Sequence, residues 1–538
     1  MRKVIASAAG ACCAATSLLA GITTSEPAYL NAPPSGNFTF SPLVTVGDYV
    51  PLTGGTPSDK FGFVGIPDAM GLYKDPVTSE NILFVAHELP SGVQSEPFYG
   101  ATKYKGAWVS RFVLEADGSV TSGGFAHKEL YLGNVYSRAQ PPLATDLDTN
   151  GFTRFCSGSF AGPAHGMDRP IFLTNEESSS GNFSAAGSQT VAIIDGKMHT
   201  LPGLARVARE TTLVMPRRDA LTAIVSTEDN GSPSFIYLYV GTKQRRSTNV
   251  LEKNGLSGGK TYVLAGRGAD AGKNEASFTT GSLLARWVEI PNAATLTAAQ
   301  LITAATNAGG FGLVRVEDAE FDPLAPTRTM FVASTGGSGA NRLGRLYKVN
   351  FNPTAPAADC TVDVIYNADL IATPGGTYTV GANLGASSYS GYDINAGTDY
   401  PVSVDNIAVN ANYIVICEDR NSPADAVWAK YGRNGGVWTL DRNNNYAAKY
   451  QGDFNFAYTN ARDGVTRTAG LWEASGVIDA SSIYGPDTFI INVQAHGGST
   501  QQRSNILKPD GSGTFTKAEA QSRFVEDGQV LLMKPKVN

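Results

Sequence analysis

The chain has 538 residues, 59 of them glycine, and only 17% of its residues are charged. With 42 basic against 48 acidic residues it lacks the basic surface that nucleic acid or an anionic membrane requires, so neither is an expected partner. Abundant glycine and scarce helical periodicity favour an all-β architecture rich in turns.

At the N-terminus, Arg2 and Lys3 precede a small-residue apolar stretch over residues 4–22, and polar, proline-rich sequence follows. This is the pattern of a secretory leader, placed at residues 1–28, and it implies a periplasmic or extracellular protein. No later stretch reaches 18 consecutive apolar residues, so no membrane span is expected. Beyond the leader only Cys156, Cys360 and Cys417 remain, too few for a disulfide scaffold. Cys156 and Cys417 are expected to be buried structural thiols, and His127 and His199 surface residues.

Six apolar runs then recur along the chain. NILFVAHELP ends in His87 and Glu88, RPIFLTNEES in Asn175, Glu176 and Glu177, and ALTAIVSTEDNG in Glu228 and Asp229. RTMFVASTGG ends at Thr335, NYIVICEDRN in Glu418 and Asp419, and TFIINVQAHGG at His496. Each is a β-branched and aromatic run followed by turn residues, and further short strands lie between them. Radial repetition of such units predicts a six-bladed β-propeller, with a few short helices on the blade connections. The six runs are expected to be the innermost strands, so that Glu88, Glu176, Glu228, Thr335, Glu418 and His496 ring one axis.

Two helices carry capping boxes, Thr297 with Gln300 and Thr516 with Glu519, closed by Gly309–Gly310 and by Gly528. NGLSGGKT, at residues 254–261, has neither the spacing of a phosphate loop nor the helix that such a loop or a nucleophile elbow must open, and reads as a turn.

RVEDAEFDP, residues 315–323, crowds Glu317, Asp318, Glu320 and Asp322 behind Arg315. Carboxylates confined in a channel repel one another, and hard divalent cations such as calcium, with six to eight oxygen ligands, relieve the repulsion. Cations so held attract anionic esters, and Arg315 offers a planar donor for phosphate. Asp318, Glu320 and Asp322 are expected to serve the turn or solvent.

The same residues carry a resemblance. VAHEL resembles the N-H-E motif of the PhoX-type alkaline phosphatases, secreted bacterial phosphomonoesterases on a six-bladed propeller with a calcium and iron cluster. FCSG and FLTNEE are similar to that family's C-S-G and L-T-C-E-E, and LARVARETT stands where it has G-R-F-S-H-E. RVEDAEFDP resembles R-P-E-D, VSVDNIAV resembles P-D-N-L, WEASGV resembles E-x-T-G, and NVQAHGG resembles N-x-Q-H-P-G. The resemblance implies one propeller domain over residues 45–538 and metal ligands at Glu176, Glu210, Glu317 and Asp405, with Glu88, Glu418 and Glu473 as further ligands. It places Arg315, Asn175 and Arg209 at catalytic positions. Asn175 stands where the family has its iron-binding thiolate and Arg209 where it has a histidine, so calcium is the expected metal and iron is expected to be absent or substoichiometric. The function implied is that of a monomeric, exported, metal-dependent phosphoester hydrolase acting on a small phosphorylated substrate. The alternative is a non-catalytic, calcium-stabilised extracellular propeller that binds a partner.

Overall fold

Six strand pairs repeat along the chain in the structure, a computed structural model that describes residues 21–537 apart from 148, 179–182, 232, 340, 372–376, 380–387, 391–398 and 421. Most of the expected leader falls outside these residues. Numbered in chain order, the pairs are β1 (Pro67–Lys74) with β2 (Asn81–His87), β3 (Phe155–Ala161) with β4 (Ile171–Glu176), and β5 (Arg209–Val214) with β6 (Leu221–Glu228). They continue as β7 (Val316–Phe321) with β8 (Thr329–Ser334), β9 (Val404–Val409) with β10 (Tyr413–Glu418), and β11 (Glu473–Asp479) with β12 (Phe489–Ala495). Each pair is antiparallel.

The apolar runs are the even-numbered strands. They are not innermost. β1 contacts β3, β3 contacts β5, and so on through β7, β9 and β11, which returns to β1, so the odd strands form a closed ring inside the even ones. The run pattern marks the second strands because these are covered on both faces, and strands covered on both faces read as continuous apolar sequence. Ile82, Phe84 and Ala86 of β2 share one apolar cluster with Phe172 of β4, while Leu83 and Val85 share another with Ile490 of β12. Leu173 of β4 and Ile224 of β6 share the next, then Val225 of β6 and Val332 of β8. Phe331 of β8 joins Ile414 and Ile416 of β10, and Val415 of β10 joins Ile491 and Val493 of β12. Each such side chain contributes about 1.5–3 kcal/mol by burial, so the ring is held by six apolar seams between adjacent units.

Outer strands complete the sheets. Units three and four merge into one nine-stranded sheet where Ser282–Ile290 pairs with Cys360–Asn367. Leu30–Asn31 pairs with Ala447–Phe454 of unit five, and Phe38–Thr45 pairs with Asp527–Pro535 of unit six. Sheet structure is therefore already present at Leu30, ahead of residue 45.

The capping boxes form as expected, opening helices Ala298–Asn307 and Lys517–Phe524. The second helix stops at Val525, with φ +71°, and Gly528 lies in the following strand instead. NGLSGGKT links a one-turn helix to strand Lys260–Gly266. Cys360 and Cys417 are buried free thiols; the imidazoles of His127 and His199 are buried too, contrary to the surface placement expected of the two histidines. Among the described residues no helix is long and apolar enough to cross a membrane. All six odd strands line one central cavity of about 320 Å³.

A candidate metal centre at one end of the ring

The ladder slips once near the start of every inner strand. Pro67 faces His87 and Met70 faces Val85, so three steps on β1 match two on β2. The same three-against-two slip follows Phe155, Arg209, Val316, Val404 and Ala474. A bulge of this kind breaks strict alternation and re-aims a side chain. The residue after the slip begins is Asp68, Cys156, Glu210, Glu317, Asp405 and Ser475 in the six units, five of them metal-ligating types.

Two further positions repeat beside the bulge. On each second strand, the residue after the one that faces the start of the slip is Glu88, Glu177, Asp229, Thr335, Asp419 and Gln494. The rim residue just before each slip is Ile66, Arg154, Ala208, Arg315, Ser403 and Glu473. Four of these, Ile66, Arg154, Arg315 and Ser403, have φ between +42° and +52°, a region that non-glycine residues rarely occupy. Their carbonyls accept the N–H of Glu88, Glu177, Thr335 and Asp419, at 2.8, 2.9, 2.9 and 3.2 Å, which fixes the unusual conformation in each unit.

These positions converge. Ligand atoms of Asp68, Glu88 and Cys156 lie within 4.8 Å of one another, and so do those of Cys156, Glu177 and Glu210. Cys156 belongs to both groups. Its thiol donates to Asp68 Oδ2 at 3.1 Å, and Gln494 Nε2 donates to Asp68 Oδ2 at 2.9 Å and to Glu88 Oε2 at 3.1 Å. Ser157 donates to Glu210 at 2.8 Å. On the other side Arg315 reaches Glu317 at 2.7 Å, Asp419 at 3.2 Å and Asp229 at 3.4 Å. Thr335 donates to Asp405 at 3.1 Å. His496 lies 3.9 Å from Glu473 and 2.5 Å from Glu526.

The electrostatics of this cluster are lopsided. Burial, then Glu88 and Glu473, push the Asp68 carboxyl well above the ordinary range. Burial with Glu317 and Glu177 does the same to Glu210, burial with Asp229 to Glu317, and burial with Glu317 to Asp405. Glu177 is raised to about 8 and Glu473 to about 7, first by burial and then by neighbouring acids. The Cys156 thiol is pushed up by burial and by Asp68 and Glu210. Burial disfavours charge on His496, but its bonds to Glu473 and Glu526 outweigh this and raise it well above its ordinary value. Asp68 Oδ1 is buried with no hydrogen-bond partner. Buried acids in such excess, with an orphaned carboxylate oxygen among them, fit a bound cation.

The expected site residues divide. Glu88 and Glu210 lie in the two ligand groups, Glu317 and Asp405 occupy the same bulge position, and Glu473 is on the rim. Glu176 and Glu418 turn into their own units. Glu176 accepts N–H groups from Thr153 at 3.0 Å and Gln189 at 2.9 Å, while Glu418 accepts from Val402 at 2.9 Å and pairs with Arg433. Asn175 is walled in, donating to the Glu210 carbonyl at 3.1 Å and accepting from Thr212 at 2.7 Å. Arg209 is buried and bonded to the Ala205 carbonyl at 2.8 Å. Neither side chain is a member of the ligand groups. Cys156, expected to be structural, stands at their centre. In RVEDAEFDP, Asp318 is buried and accepts the Ile407 N–H at 3.0 Å, and Asp322 is buried against Arg442 at 2.7 Å. Asp322 also serves its turn through the Leu324 N–H. Sequence reasoning missed Asp68, Cys156, Glu177, Asp229 and Asp419. The acid pairs held the signal: where two acids end a strand, the first caps backbone amides of its own unit and the second faces the axis.

No family model matches the chain, and no curated protein matches it significantly. Among solved structures it is similar to Pseudomonas fluorescens PhoX in complex with vanadate, a transition state analogue, at 13% identity over 96% of this chain and 97% of that one, with a TM-score of 0.58. Chaetomium thermophilum Sqt1 bound to the N-terminus of ribosomal protein L10 matches at 10% identity, 84% and 87% coverage and TM-score 0.30. A glycosyl hydrolase from Bacteroides ovatus matches at 10% identity, 78% and 96% coverage and TM-score 0.32. The last two likenesses are too slight to carry an argument, whereas the first establishes that this mostly β chain has a PhoX-like fold.

Proposed function

We propose that the chain is a metal-dependent phosphoester hydrolase on a six-bladed β-propeller, its nine-stranded sheet being two blades joined at their outer edges. One observation carries the reading: a thiol, Cys156, shared by two carboxylate groups in a fold like that of a phosphatase solved with vanadate. Asp68, Glu88, Cys156, Glu177 and Glu210 would hold metal on one side of the ring, with Glu317, Asp405 and Glu473 on the other. Thiolate suits a transition metal such as iron, and oxygen-only ligands suit calcium. The argument against iron from Asn175 therefore lapses, and we assign the Cys156 side to iron and the oxygen-only side to calcium. Bound there, the metals would polarise the phosphoryl group and supply a nucleophilic water or hydroxide.

The chain's own residues do the rest. The bulges aim the ligands before any metal arrives, so little reorganisation accompanies binding. Arg315 holds Asp229, Glu317 and Asp419 in one array and presents its plane at the rim, where a phosphoryl oxygen would lie. Gln494 orients Asp68 and Glu88 together. Export to the periplasm or outside the cell, from the leader pattern, belongs to the same reading.

The test is hydrolysis of p-nitrophenyl phosphate by purified protein, with metal content measured beside it. Turnover abolished by a chelator and restored by calcium with iron is the expected result. Stoichiometric metal with no turnover under any condition would instead make this a metal-stabilised binding propeller.

A further inference from the structure

Arg154 and Arg315 occupy the same place in two different units. Each is the rim residue before the bulge, with φ of +42° and +51°, and each has its carbonyl bonded at 2.9 Å to the N–H that follows the second strand. A left-handed non-glycine residue costs free energy, and such outliers cluster where function over-determines them. The shared conformation puts both residues on the rim of the ligand ring, on either side of the unit that supplies Glu210 and Asp229. Both guanidinium groups favour the charged form of the Glu177 carboxyl, and Arg154 lies 3.8 Å from it.

The two arginines differ in how they are engaged. Arg315 is held by three carboxylates, with 28% of its side chain exposed. Arg154 is 43% exposed, and its one ion pair among the described residues is loose, 3.8 Å to Glu177. Its Nε donates to the Glu177 carbonyl at 3.0 Å, which anchors the stem and directs the head group outward.

Building on the phosphoester reading, we infer that Arg154 is a second anion-binding residue, forming with Arg315 a two-pronged clamp that selects phosphomonoesters over phosphodiesters. A monoester carries nearly two negative charges at neutral pH, and a guanidinium can bind two phosphoryl oxygens side by side. A diester carries one charge and has one fewer free oxygen, so it gains little from a second prong.

The experiment compares wild type, Arg154→Gln and Arg154→Lys in two readouts, with metal content measured for each. Both substitutions keep a side chain on the strained backbone, so folding cost is matched. Charge-assisted hydrogen bonds of this kind are worth roughly 10-fold to 100-fold in an equilibrium constant. Arg154→Gln is expected to lower kcat/KM for p-nitrophenyl phosphate by about that factor while changing bis(p-nitrophenyl) phosphate less than about twofold, and Arg154→Lys to restore part of the loss. In calorimetry, inorganic phosphate should bind wild type more tightly than Arg154→Gln by a similar factor, at unchanged metal content. Equal losses on both esters, a loss that tracks metal content, or phosphate binding indifferent to Arg154 would overturn the clamp. A wild type that binds phosphate through Arg154 yet hydrolyses neither ester would retain the clamp and remove the hydrolase reading.

Discussion

Two buried clusters of acids in this molecule meet opposite fates. At the ring, Asp68, Glu210, Glu317 and Asp405 are crowded together, and their carboxyls are driven upward by burial and by one another. Near the N-terminal strands, Glu26, Asp463 and Asp527 surround Arg462 at 2.8, 2.6 and 3.1 Å, with Arg467 2.8 Å from Asp463 and Arg503 3.7 Å from Glu26. Burial would raise Glu26 and Asp463 too, but Arg503 and Arg462 outweigh it for Glu26, as Arg462 and Arg467 do for Asp463, and both carboxyls fall below the ordinary range. The same residue types are buried in both places. What separates them is whether the chain supplies the countercharge. Where it does, the cluster is a structural rivet; where it falls short, the deficit is the reason to assign a cation from outside.

The sharpest way to break this contrast is at Cys156. Cys156→Ser removes the ligand shared by both groups, and activity should fall by at least about 100-fold, more than outer-shell changes at metal sites usually cost. Iron content should fall with it while calcium remains; unchanged iron would place the metal elsewhere.

The acid pairs come next. Glu177→Gln should cost metal and activity roughly 10-fold or more. Glu176→Gln should keep both and cost about 1–3 kcal/mol of stability, because a buried backbone amide loses its carboxylate acceptor. Elemental analysis and urea unfolding separate the two, and equal loss of metal would end the inward-and-outward reading of the pairs.

At the rivet, Arg462→Met strands Glu26, Asp463 and Asp527 without their common partner, and breaking a buried pair in this way costs about 3–5 kcal/mol. Urea unfolding should register the loss while metal content stays constant.

The clusters should also titrate with opposite signs. In protein stripped of metal, Glu177 and Glu473 have folded values of about 8 and about 7 against an ordinary 4.5. The folded state then binds more protons than the unfolded one, so their contribution to stability is full below pH 4.5 and lost as pH rises toward 8. Glu26 and Asp463 are held below 4.5 and 3.8, so their contribution is full above those values and lost as pH falls beneath them. Unfolding measured across pH with and without chelator would show the first effect only in the stripped protein. An identical pH profile in both would mean that the ring acids are not where metal binds.

The smallest effect is expected at Asp322→Asn. It weakens a buried pair with Arg442 and should cost about 1–2 kcal/mol, leaving activity unchanged. A loss of activity as large as that expected of Glu177→Gln would join the whole stretch into one functional unit.

How much of this could be read beforehand follows from burial. The second strands were legible because both faces are covered, so Ile, Val and Phe fill them without interruption. The inner strands were not. FCSGSFA, RETTLV and VDNIAV are short, polar and broken by the bulge, which erases the two-residue period that marks a strand. Glu210 and Asp405 were reached only through the family resemblance, and Arg315 and Glu317 through the crowded acids of RVEDAEFDP as well. Asp68 lies in PDAMGLYK, which has neither an apolar run nor an acid pair to mark it, and Cys156 reads as a structural thiol when the family's thiolate is matched to Asn175. The choice between Glu176 and Glu177 turns on one residue of register, which composition does not carry.

The pairing of Phe38–Thr45 with Asp527–Pro535 has a consequence for how the molecule comes to exist. The sheet of unit six is completed by segments nearly 500 residues apart in sequence. Contacts between such distant segments form late, since the entropy of closing the loop must be met before they reward it. The sheet of unit six therefore cannot be completed before residues 527–535 have been made. Until that strand pairs, Phe38–Thr45 lacks its one ladder partner among the described residues, and its open backbone edge is a template on which another chain can pair.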